Sequence, residues 1–130
     1  MPPLISVALV AIGGALGSAL RYLLAGWVQS ASRSLDFPYG TLMVNLLGCF
    51  VIGFLAQLAE TRGLFTSEAR VFVFIGILGG FTTFSSFGND TLNLFRDGET
   101  LNALLNVGAN VMLGLSLVWL GRTVAYLIWR

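Results

Sequence analysis

The chain contains no histidine and no lysine, a single cysteine, and few charges of either sign. Without histidine, and with one thiol, it lacks the ligand sets of zinc and haem sites and almost every nucleophile–base pair that hydrolytic chemistry uses. An enzyme is therefore a poor reading. All seven basic residues are arginine against six acidic ones, a net charge of +1, and they form no basic stripe of the kind that holds nucleic acid. Cys49 lies inside an apolar run and cannot pair within its own chain, so it reads as a small buried hydrophobe. With only 10% of its 130 residues charged, the chain cannot clothe the surface of a water-soluble domain.

What is present is apolar, at 56% of the sequence, and the charges leave four long gaps at positions 1–20, 37–59, 71–89 and 100–121. Each gap approaches the roughly 20 residues that carry a helix across a bilayer core. The expected architecture is an all-α membrane protein of one small domain, with spans at 4–28, 39–60, 70–95 and 101–128. Four such spans leave only short connectors, which rules out an extramembrane catalytic domain. The first apolar run has no basic residue ahead of it and outlasts a signal-peptide core, so it is expected to stay as the first helix.

Four spans place both chain ends on one side of the membrane. That side, with the second loop, carries Arg62, Arg70, Arg122 and Arg130, while the other carries Arg33, Arg96 and Arg21. Orientation follows an excess of basic residues in short loops, and this sequence has almost none. Copies are therefore expected to insert both ways up and to pair as an antiparallel homodimer about a two-fold axis in the membrane plane. A single fixed orientation set by weaker cues is the alternative.

Several polar residues interrupt the apolar spans. Gly13 and Gly17 form a small-residue face for close helix approach, and Arg21 follows one turn later. Arg21 either reaches for the interface or supplies positive potential to an aqueous vestibule. Thr41, Asn45 and Gly48 recur on one face of the second span; Asn45 is either interhelical glue or a donor to a passing anion. Asn102, Asn106, Asn110 and Gly114 recur every fourth residue in the fourth span, more carboxamide than glue requires. In the third span Gly79-Gly80 precedes Thr82, Thr83, Ser85 and Ser86, which favours a helix broken at mid-membrane. Irregular backbone at that depth must be buried in protein or line a cavity, and broken spans typically mark ion sites. Phe81, Phe84 and Phe87 share a face of the second half. Such rings are usually core or lipid contact, although their positive edges suit an anion.

These strings, Gly13-Gly14-x-x-Gly17-x-x-x-Arg21-Tyr22, Gly40-Thr41-Leu-x-x-Asn45-Leu-x-Gly48 and Gly79-Gly80-Phe-Thr82-Thr83-Phe84-Ser85-Ser86-Phe87, resemble the Fluc (CrcB) fluoride channels across all four spans. The resemblance implies a bacterial inner-membrane channel for passive fluoride export, built as a dual-topology antiparallel homodimer with two pores. It implies a fluoride pore lined by Phe84, Phe87, Asn45, Thr41, Ser85, Asn110 and Asn106, with Arg21 in the vestibule. It also implies a structural sodium ion at the dimer interface, held by the Gly79 and Thr82 backbone carbonyls of both subunits. Two positions depart from the family pattern: Gly88-Asn89-Asp90 stands where Ser-x-Glu is frequent, and Gly114 stands where a serine is frequent one turn beyond Asn110. Ser116, two residues further round, is no substitute. Two rivals remain. A small multidrug exchanger needs a titratable carboxylate in mid-span, which is missing, and a non-conducting scaffold leaves the broken span and polar faces without a purpose.

Overall fold

A computed structural model describes residues 2–130, and all regular structure among them is helical. Helix α1 spans Pro3–Ser32 and α2 spans Tyr39–Arg62. The third span, Ser67–Arg96, is made of α3 (67–81) and α4 (Phe84–Arg96); α5 runs over Thr100–Ile128. All four spans are long and apolar enough to cross a bilayer, and the chain is a multi-pass membrane protein.

Local chemistry sets the helix ends. Pro3 opens α1, where its fixed φ suits the first turn and its missing N–H costs nothing. The helix runs four residues past the expected end at 28 and stops at Arg33, which is left-handed with φ 54°. The Gln29 side chain organises the turn that follows. Its Nε2 donates to the carbonyls of Ser34 (2.9 Å) and Phe37 (3.0 Å), and its Oε1 accepts from the Gly40 N–H (2.9 Å). Gly63 closes α2 in the left-handed region that favours glycine. Thr66 caps α3 by accepting from the Ala69 N–H at 3.1 Å.

Small residues let the helices touch through their backbones. A side chain at Gly13 or Gly17 of α1 would strike the Phe72 and Ile77 carbonyls of α3; Gly53 and Gly121 play the same part between α2 and the Gly114–Ile128 portion of α5. A bidentate pair joins α2 to α5 near one membrane face, with Arg122 Nη1 and Nη2 each 3.1 Å from a Glu60 carboxylate oxygen. Val44 and Asn106 are the largest side chains sealed from the surface, whereas Val7, Leu23, Met112 and Trp119 lie open, as suits a protein whose solvent is hydrocarbon. Val71–Leu78 in α3 and Ala109–Leu113 in α5 are wound as wider π-helix, and both lie beside the site described next.

Candidate functional site

The third span is interrupted at Thr82 (φ −92°, ψ 156°) and Thr83 (φ −147°, ψ 114°), both extended, while Gly79–Phe81 is still helical. Asn45, on α2, holds Thr83 in that conformation. Its Oδ1 accepts the Thr83 N–H at 2.8 Å and its Nδ2 donates to the Thr83 carbonyl at 3.1 Å. The carboxamide thus pairs with both backbone groups of one residue, as a neighbouring strand would. The Thr83 hydroxyl in turn accepts from the Ser86 N–H at 3.2 Å and caps α4. Asn45 and Thr83 together end one half-helix and begin the next.

This arrangement also releases carbonyls. In a continuous helix the Thr83 N–H would serve the Gly79 carbonyl and the Ser86 N–H that of Thr82. Both donors are engaged elsewhere, by Asn45 and by Thr83 Oγ1. Gly79 is exposed and Thr82 half-buried, so two hard oxygens are freed from their helical donors at mid-span, the donor type that alkali and alkaline-earth cations prefer. Among the described residues no cluster of His, Cys, Asp or Glu could hold a metal ion, so a cation at the break would depend on such backbone oxygens.

Two cavities meet at Thr83. One, of about 610 Å³, is a polar vestibule whose walls include Arg21, Gln29, Thr41, Thr83, Ser86 and Asp90. The other, of about 400 Å³, is a groove lined by Asn45, Gly79, Thr82, Phe84, Phe87 and Asn110, with Thr83 again in its wall. Phe84 and Phe87 form an edge-to-face pair with centroids 5.4 Å apart. Phe87 is buried, whereas Phe84 is 83% exposed, a bare aromatic ring at the middle of a membrane span.

The structure therefore gathers Asn45, Asn110, Phe84, Phe87, Gly79 and Thr82 around one groove, and Arg21 and Thr41 around the adjoining vestibule. Ser85 and Asn106 line neither. Ser85 lies 3.3 Å from the Thr83 hydroxyl, and Asn106, only 1% exposed, belongs to a network of side-chain amides. Asn45 Nδ2 donates to Asn110 Oδ1 (3.1 Å); Asn110 Nδ2 donates to the Asn106 carbonyl (2.8 Å) and Oδ1 (3.1 Å). Asn106 Nδ2 donates to Thr91 Oγ1 at 2.9 Å, and the Thr91 hydroxyl donates to the Phe87 carbonyl at 2.8 Å. Asn45 Nδ2 thus has two acceptors within the protomer, on Thr83 and Asn110, and Asn110 Nδ2 has two on Asn106. Asn102 stands apart, donating to Glu99 Oε2 at 3.1 Å.

Three residues of this architecture carry no site role in the sequence reading: Thr83, Gln29 and Thr91. Thr83 was visible as one of four hydroxyl residues after the glycine pair. The partners of Gln29 and Thr91 emerge only from the fold.

Fold and site together define a four-span membrane protein in which one interrupted helix separates a polar vestibule from an aromatic groove, the anatomy of a protein that moves or admits a small solute. Residues 8–122 match the family described as CrcB-like protein, Camphor Resistance (CrcB). The chain is 51% identical over 118 residues to the fluoride-specific ion channel FluC of Parabacteroides distasonis, covering 91% of each chain. It is 48% identical over 115 residues to the protein of that name in Methylobacillus flagellatus (88% of this chain, 90% of the relative), and 51% over 113 residues to that of Thermus thermophilus (87% of each). The chain belongs to the CrcB family.

Proposed function

We propose that this protein is a fluoride channel, not an enzyme, which lets fluoride leave the cell passively across the bacterial inner membrane and so limits its toxicity. The observation that carries the reading is the meeting of a polar vestibule and an aromatic groove at Thr83, on the family and relatives just described. Fluoride is compact and strongly hydrated. A pore for it must offer donors in place of water yet bind weakly enough for exit. Among the described residues Arg21 is the one cation in the vestibule wall, which it shares with Asp36 and Asp90, and it stands outside the groove, where a full charge would trap the ion.

The working unit is an antiparallel homodimer of dual topology with two pores. Near-equal arginine counts on the two sides support insertion both ways up. Exposed Phe84 and Gly79 at mid-span support a partner surface there, because a two-fold axis beside the break gives each groove a second wall. The same axis brings the Gly79 and Thr82 carbonyls of both chains together, a set of oxygens suited to a structural sodium ion. Bound there, the ion offsets the repulsion of converging carbonyl dipoles and ties the two chains at the break.

Purified protein in sealed liposomes tests the reading. Fluoride efflux well above chloride efflux is the expected result, and liposomes that retain fluoride would refute it. Cysteine labelling of loop positions in intact cells should reach both sides of the membrane; labelling from one side alone would remove the antiparallel dimer.

A further inference from the structure

Thr91 and Asn106 lie behind the groove and line neither cavity. They are, however, the best sealed part of the amide network. Asn106 is 1% and Thr91 9% exposed, and no buried side-chain polar atom among the described residues lacks a partner. The hydrogen-bond direction through this pair is fixed. Asn106 Nδ2 can only donate, so the Thr91 oxygen accepts, and its one hydrogen goes to the Phe87 carbonyl one turn back. A threonine hydroxyl bonded to the carbonyl four residues earlier tends to bend its helix. Here the bond acts on the residue that carries the buried ring of the aromatic pair.

We infer that Thr91 and Asn106 are a positioning pair that sets the rotation of α4 and thereby aims the Phe87 ring edge into the groove. The inference rests on the proposed fluoride channel. The network grips α4 twice. Asn45 holds its capping residue, Thr83, by the backbone, and Asn106 holds the helix two turns later through Thr91. Between these two points lie Phe84 and Phe87. Asn110 connects them, since it accepts from Asn45 and donates to Asn106. With one grip released, α4 can turn about the other. A ring edge displaced by a fraction of its own width no longer meets an ion as small as fluoride.

The test compares Thr91→Val, Asn106→Leu and Thr91→Ser in liposomes, with fluoride flux expressed per assembled dimer and chloride flux measured alongside. Thr91→Val keeps the shape of the side chain and removes the hydroxyl; Thr91→Ser restores it. Flux per dimer should fall about tenfold or more in Thr91→Val and in Asn106→Leu, since displacements near 1 Å at a reacting centre can cost about a hundredfold. It should return in Thr91→Ser. Combining Thr91→Val with Asn106→Leu should cost no more than either alone, because the two act as one unit. Unchanged flux in either assembled single variant would overturn the inference. Loss of assembly in both would also overturn it, by making the pair a folding element only. Wild-type liposomes distinguish the two readings: if they retain fluoride the channel proposal fails, whereas conducting wild type beside equally conducting variants fails the positioning pair alone.

Discussion

Replacing Asn45 by alanine should undo the break in the third span, and the size of the effect follows from its three hydrogen bonds. Two go to the Thr83 backbone, at 2.8 and 3.1 Å, and one to Asn110 at 3.1 Å. Thr83 is 7% exposed, so its N–H and carbonyl lose their partners in a nearly dry place. A buried polar group left unsatisfied costs about 1–3 kcal/mol. Two such groups set an upper range of about 2–6 kcal/mol, and water entering from the vestibule can serve one of them, which leaves about 1–3 kcal/mol. The chain can escape this cost by returning the Thr83 N–H to the Gly79 carbonyl and continuing α3 as a helix. Either outcome removes the geometry of the groove. Fluoride efflux from liposomes should fall at least about tenfold, the equivalent of 1.4 kcal/mol, and the melting temperature of the purified protein should drop with it. Efflux and melting both at wild-type values would refute the clamp. A lowered melting temperature with full efflux would leave Asn45 as interhelical glue alone.

Phe84→Ile and Phe87→Ile should each suppress fluoride efflux while size-exclusion chromatography still shows an assembled protein; normal efflux in both would remove the rings from the pathway. Gly17→Val should destabilise the fold by roughly 1–3 kcal/mol or more, because the added atoms meet the Ile77 carbonyl of α3 rather than a movable side-chain tip. Thermal melting of the purified variant reads this directly, and an unchanged melt would mean that α1 and α3 separate at little cost. If the Gly79 and Thr82 carbonyls hold sodium, exchanging sodium for a bulky organic cation should weaken the wild-type dimer, and Asn45→Ala should blunt that response because the Thr83 N–H then competes for the Gly79 carbonyl.

The four helices were legible in the sequence because their signal is local: charge is expensive in hydrocarbon, and the gaps between charges have the length of a bilayer. The interruption was legible in outline from Gly79-Gly80 and the hydroxyl run. Within that run the departure at Thr82 and Thr83 is fixed by Asn45, 38 residues away, which pairs with the backbone there, whereas glycine only lowers the cost of leaving the helix. The asparagines of the fourth span show the same limit. Their spacing places them on one stripe but does not say which of them faces a cavity. Asn110 reaches the groove, Asn106 is sealed behind it and Asn102 bonds to Glu99 at the helix start. The first helix outruns its expected end because the Gln29 side chain satisfies backbone groups of the turn beyond it, five, eight and eleven residues further on, a spacing that matches no standard cap.

The distribution of donors bears on how a channel for a strongly hydrated ion avoids becoming a trap. The strongest neutral donors near the groove are the carboxamides of Asn45 and Asn110, and the protomer itself supplies acceptors to both of them. On the proposed reading, what remains toward the ion is weaker: the ring edges of Phe84 and Phe87. A pore lined by free amide donors would replace the hydration shell well and release the ion slowly. A pore whose amides are tied back, and whose rings face inward, gives up some binding for faster exit. On the proposed reading, the carboxamides build the passage by holding Thr83 and the aromatic pair in place, and the weaker groups they position meet the fluoride.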